Sequence, residues 1–162
     1  MNIFRIMKKA HFLSFVLIIC YLVGCSHNDE TSKQQQLTFT GESESWNVTG
    51  YEVAITADSF KAGNGTLTMK TGNEHLADFF QYKIYANLNG EDTLINSSSF
   101  SGEADINIAE KTIGSTNGGA YLDENGKPIT FDDMRDFYLI VEWQDKGKRD
   151  VVKERIDLIN NE

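Results

Sequence analysis

Few side chains in this chain of 162 residues stand where their chemistry could be used. The thiols are Cys20 and Cys25, and the histidines beyond residue 24 are His27 and His75. His75 has Glu74 and Asp78 close by in sequence, which is the raw material of a general base. Nucleophilic serine chemistry also wants a hydroxyl presented beside that base, and no Gly-x-Ser-x-Gly elbow occurs. His75 therefore reads as an exposed loop residue. Asp123, Asp132, Asp133 and Asp136 are close enough in sequence to converge on one Ca²⁺. The EF-hand spacing is broken, because Gly126 comes too early and position 132 is Asp. A turn at Asp123-Glu124-Asn125-Gly126 is the simpler expectation, and no metal site is assigned. Transition metals lack His and Cys ligands. Gly114 to Gly119 is glycine-rich, but no Lys-Ser/Thr helix start follows, so it reads as a flexible loop and not a phosphate cradle. Trp46 and Trp143 could line a sugar site, yet each is in phase with core positions. No catalytic residue and no cofactor is assigned, and the chain does not read as an enzyme.

Cys25 is the residue with the most informative surroundings. Arg5, Lys8 and Lys9 form a positive start with no acidic partner, and an apolar run follows from Phe12 to Val23, broken only by Ser14. About a dozen residues is too short to cross a bilayer core of roughly 30 Å and suits a secretory signal. The run ends in Leu22-Val23-Gly24-Cys25, which resembles the bacterial lipobox position by position, with Val23 an accepted variant of the usual small residue. The resemblance implies diacylglycerol on the Cys25 thiol and cleavage before it. Two acyl chains hold a protein on a membrane where one does not. Residues 1–24 are then a lipoprotein signal peptide, and Cys25 anchors the rest to the extracytoplasmic face of the cell membrane. Residues 25–36, with SHNDETSKQQQ after the cysteine, carry no aliphatic or aromatic side chain and read as a disordered tether.

The remainder, residues 37–162, is one domain with no thiol, so packing and not disulfides must hold it. The formal charge of the chain is −9, and residues 1–24 carry only positive charge, so the exported part is more acidic still. An acidic surface repels nucleic acid and anionic lipid, leaving the lipid on Cys25 as the membrane contact.

The positioning elements follow a period of two. Trp46 and Val48 hold one phase, and Tyr51, Val53 and Ile55 hold the other. The flip falls at Gly50, which predicts a β-bulge. Leu67 and Met69, after the turn signal Gly63-Asn64-Gly65, read as the hairpin partner of that strand. Phe80, Tyr82, Ile84, Ala86 and Leu88 alternate cleanly up to Asn89-Gly90. Phe100, Ala104, Ile106 and Ile108 predict another strand. Phe137, Leu139, Val141 and Trp143 predict one more, joined by a hairpin to Val152, Ile156 and Leu158. A short helix is expected over residues 131–136, with Thr130 as its N-cap and Asp133 completing a capping box. About seven strands at these spacings predict an immunoglobulin-like antiparallel β-sandwich.

Gly41-Glu42-Ser43-Glu44-Ser45-Trp46, Gly65-Thr66-Leu67-Thr68, Ile140-Val141-Glu142-Trp143 and Ile156-Asp157-Leu158 resemble a group of small lipoproteins of Gram-positive bacilli. Ser45 stands where many of those relatives carry Asn, and residues 109–136 form a longer stretch than theirs. The resemblance implies an exported β-domain and brings no catalytic residue. The expected function is that of a lipid-anchored, non-enzymatic binding or structural module at the cell surface. Its partner would be an extracytoplasmic protein or wall component met through residues 113–127. The alternative is a lipoprotein binding calcium or a cell-wall glycan.

Overall fold

The computed structural model describes residues 35–160. The expected signal peptide, Cys25, His27 and the expected tether as far as residue 34 lie outside the described residues. Strands β1 (Gln35–Glu42), β2 (Trp46–Ile55), β3 (Ser59–Gly63), β4 (Thr66–Met69), β5 (Leu76–Leu88), β6 (Glu91–Asn107), β7 (Glu110–Thr112) and β8 (Thr116–Gly119) come first. A 3₁₀ turn (Phe131–Asp133) then leads to β9 (Met134–Asp145), β10 (Val152–Asp157) and β11 (Ile159–Asn160). A seven-stranded sheet has the order β11-β1-β2-β3-β8, with β4 pairing β2 and β7, and a four-stranded sheet has the order β10-β9-β5-β6. Both are antiparallel, and they pack face to face over one apolar core. The all-β sandwich read from the alternation is the observed architecture. The strands beyond seven are β3, β7, β8 and β11, short pieces of two to five residues.

The bulge at Gly50 is present. Phe39 pairs with Tyr51 and Gly41 with Val48, so Thr49 and Gly50 together face Thr40. Gly50 has φ +65°, the left-handed region where a side chain is penalised. The extra residue shifts the buried phase of β2 from Trp46 and Val48 to Tyr51, Val53 and Ile55. β2 does pair with β4, as expected, but their reversal lies earlier than Gly63-Asn64-Gly65. Thr56 makes it, its Oγ1 accepting the N–H groups of Asp58 and Ser59 at 3.2 and 2.9 Å. β3 and β4 then follow β2 in a single register, Glu52 opposite Gly63 and Thr49 opposite Thr66. Gly63-Asn64-Gly65 is the break between them, with Asn64 at φ +65°.

The 13-residue β5 alternates as read and turns through Asn89 and Gly90, both at positive φ, into β6. On β6, Phe100 is 39% exposed because that strand is the edge of its sheet, while Ile108 is buried just beyond the strand's end. The expected helix shrinks to the three-residue 3₁₀ turn, since Met134 already pairs with Leu88. Its cap survives: the Asp133 carboxylate accepts the Thr130 N–H and hydroxyl at 2.8 and 2.9 Å. β1 begins at Gln35, opposite Ile55, two residues before the apolar alternation.

The chain changes sheets once more at Leu158, between β10 and β11, and crosses directly over Gly41. A Cβ on Gly41 would lie 2.5 Å from the Asp157 carbonyl oxygen and 2.8 Å from Ile156 Cγ2. Gly41 is needed for this close approach and not for an unusual φ. Gly41→Ala is expected to cost about 1–3 kcal/mol by overpacking. Urea unfolding should show a lower midpoint at an unchanged slope; an unaltered midpoint would contradict the described crossing.

Candidate functional site

The structure redistributes the chemistry-bearing residues. His75 lies in the loop before β5, as expected, but its side chain is not fully exposed. It is half-buried, with Nε2 2.6 Å from Asp145 Oδ1. Asp145 also accepts the Trp143 indole N–H at 3.1 Å and the Lys148 ammonium at 2.6 Å. Around this group, Asp78 accepts the Gly147 N–H at 2.8 Å, and the Lys146 N–H reaches the Leu76 carbonyl at 3.0 Å. The assembly clasps the start of β5 to the β9–β10 turn. Its imidazole is engaged by the Asp145 carboxylate. Lys148 first, and His75 after it, hold the Asp145 carboxyl below its ordinary range.

The four aspartates do not converge. Among the described residues no three His, Cys, Asp or Glu side chains form a group able to hold a metal ion. Asp123 is spent on its own turn, accepting the N–H groups of Asn125 and Lys127, each at 2.8 Å. The bond from Lys127 is the largest of the effects that lower its carboxyl. Asp133 caps the 3₁₀ turn, and Asp136, at φ +44°, lies in a register shift of β9.

Residues 113–127 are loop and turn except for Thr116–Gly119 and a lone bridge at Leu122, and the loop is tied down at its start. Ile113 is fully buried, and Gly114 is fixed from both sides. Its N–H donates to the Tyr82 hydroxyl at 3.1 Å, and its carbonyl accepts the Asn96 side-chain amide. Thr116–Gly119 is strand β8, paired with β3. Trp46 and Trp143 are core residues, 0% and 4% exposed.

The surface features that the sequence reading passed over lie on the outer face of the seven-stranded sheet. A cleft of about 480 Å³ is lined by Thr40, Glu42, Asn47, Thr49, Thr68 and Ile159, among others. A second, of about 260 Å³, is lined by Glu52, Lys61, Asn64, Ser115, Thr116 and Asn117, among others. The polar members sit between buried residues of the same strands, so the pleat itself aims them outward. The signal for them was the polar half of the alternation, Thr38-x-Thr40, Asn47-x-Thr49 and Thr66-x-Thr68. Thr49, Thr66 and Thr112 stand opposite one another across β2, β4 and β7.

The rim of the larger cleft is fixed by the turn between β1 and β2. Lys70 Nζ donates to Glu42 Oε2 at 3.0 Å and to the Ser43 carbonyl at 2.7 Å. The Ser45 N–H donates to Glu154 Oε2 at 3.1 Å, joining the turn to the opposite sheet. Burial alone would raise the Glu154 carboxyl, but donors at this turn outweigh it and hold the group below its ordinary range. The arrangement offers hydroxyls, an amide and a carboxylate from fixed strands, a set suited to hydrogen-bonding a ligand. No protein-family model, curated protein or solved structure matches the chain.

The Asp145 tie has a pH signature. A carboxyl whose folded pKa lies below its unfolded value stabilises the fold above about pH 4 and loses that contribution as pH falls through the folded value. Asp145→Asn should be less stable than the wild type at pH 7 by on the order of 1–3 kcal/mol. The gap should narrow in urea titrations taken progressively below about pH 4. A gap that is absent at pH 7, or constant with pH, would refute the tie.

Proposed function

We propose that this protein is a lipid-anchored β-sandwich at the extracytoplasmic face of the cell membrane, acting there as a non-enzymatic binding module. The sequence supports the anchor through the positive start, the short apolar run and the lipobox-like Leu22-Val23-Gly24-Cys25. The observation that carries the binding role is a pair of open clefts of mixed polar and apolar lining on one outer sheet face, built by strands around an apolar core. Ligands are commonly met by groups that a rigid scaffold holds in place.

The anchor is tested by chemistry at one sulfur atom. Cells fed an alkyne-tagged fatty acid should label the wild-type chain. The mature protein should begin at Cys25 with a mass increment of diacylglycerol or more. Cys25→Ser should abolish the label. Labelling that persists in the variant, or a mature wild-type chain that retains residues 1–24, would overturn the proposal.

A further inference from the structure

The two clefts are alike in their chemistry. One sets Glu42 with Asn47 and the hydroxyls of Thr49 and Thr68; the other sets Glu52 with Asn64, Asn117 and the hydroxyl of Thr116. They lie on the same sheet face, on either side of the Gly50 bulge, the first over Asn47 to Thr49 and the second over Glu52 and Ala54. Each carboxylate has a cation for company. Glu42 is paired with Lys70 at 3.0 Å, and Lys61 lines the cleft that contains Glu52. The clefts are thus close to neutral in a chain whose formal charge is −9. That balance disfavours a cationic ligand at the clefts, and the acidity of the whole disfavours an anionic one. What remains is an uncharged ligand rich in hydroxyl and amide groups. Ile159, 69% exposed at the edge of the larger cleft, adds an apolar contact for a C–H face.

A repeated donor set on one face fits a repeated ligand. We infer that the outer face of the seven-stranded sheet binds an uncharged glycan chain, with separate sugar units of one chain in the two clefts. This rests on the binding-module reading above. Carboxamides and carboxylates pair with neighbouring sugar hydroxyls by donating and accepting at once, and threonine hydroxyls complete the set. Engaging two clefts with one chain raises affinity through effective concentration without any new type of contact.

The test uses the full-length lipoprotein purified in detergent, with insoluble chitin, cellulose and amylose as probes and their soluble oligomers for calorimetry. Retention on at least one polymer is expected, with little dependence on salt. Asn47→Ala and Asn117→Ala, on opposite sides of the bulge, should each weaken binding about tenfold, the size of a lost pair of hydrogen bonds. A hexasaccharide of the retained polymer should bind more tightly than its disaccharide, and either variant should remove that advantage. Thermal melting of both variants should match the wild type, since both positions face outward. Retention on none of the three polymers, or binding unchanged in both variants, would overturn the inference. A photo-crosslinker at Thr68 in intact cells separates the two levels. Capture of a protein at that position overturns the glycan and leaves the binding module standing. Absence of both capture and retention overturns the two together. Fatty-acid labelling of Cys25 is independent of either result.

Discussion

Trp46 and Trp143 meet edge to face in the core, ring centroids 5.6 Å apart at 77°, one from each sheet. The remaining architecture hangs on this contact and its neighbours, because the domain has no thiol with which to staple its layers. Phe80 packs on Trp46 at 5.7 Å, and Phe39 meets Phe137 edge to face at 4.8 Å, again across the two sheets. Such pairs contribute about 0.5–1.5 kcal/mol each beyond the area they bury. Trp46 accepts a cost in return: its indole N–H is buried with no hydrogen-bond partner among the described residues. Trp143 differs, since Asp145 takes its N–H and in doing so draws His75 and Lys148 into the tie at the end of the sandwich. The polar ties at the sandwich end are therefore consequences of where the aromatic core stops.

The two outer faces have unequal availability. On the four-stranded sheet, Tyr85 and Tyr138 stack at 5.3 Å, and the Arg155 guanidinium lies 3.7 Å from the Tyr138 ring centroid. The Tyr138 hydroxyl donates to Asp92 at 2.9 Å, and Arg155 is also paired with Asp157. Side chains there cover one another, to the point that Tyr138 is buried although it points outward. On the seven-stranded sheet many of the outward residues are short, Thr40, Asn47, Thr49 and Thr68 among them, beside the longer Glu42, Glu52 and Lys61. Clefts remain between the strands as a result. The binding proposal follows from this asymmetry of side-chain length as much as from the identity of any residue.

Much of the fold was legible because a period of two is a strong signal where one sheet face is buried. β5 is the clearest case, and the flip at Gly50 located its bulge correctly. Both tryptophans fell in the core as their phase required. The turn between β2 and β3 was misplaced because Gly63-Asn64-Gly65 is a stronger local turn signal than Thr56 and Ser59, whose hydroxyl capping shows only in three dimensions. Residues 116–119 of the glycine run became a strand because they pair with β3, after Tyr82 and Asn96 fix Gly114. His75 and Asp145 are 70 residues apart in the chain, and nothing local links them. The clefts were missed for a related reason. Outward polar positions look like solvated surface until the register places strands β1, β2, β3, β4 and β8 side by side.

The central claim is that a rigid apolar sandwich holds the short polar side chains of its larger sheet as a binding face. Amide chemical shifts of the isotopically labelled protein, followed while soluble chitin, cellulose and amylose oligosaccharides are added, test it most directly. The account predicts perturbations clustered on Thr40, Asn47, Thr49 and Thr68 and on Glu52, Asn64 and Asn117, with Tyr85, Tyr138 and Arg155 unmoved. Perturbations centred on the four-stranded sheet or on the turn at Asp123 to Gly126, with the threonine face silent, would contradict it.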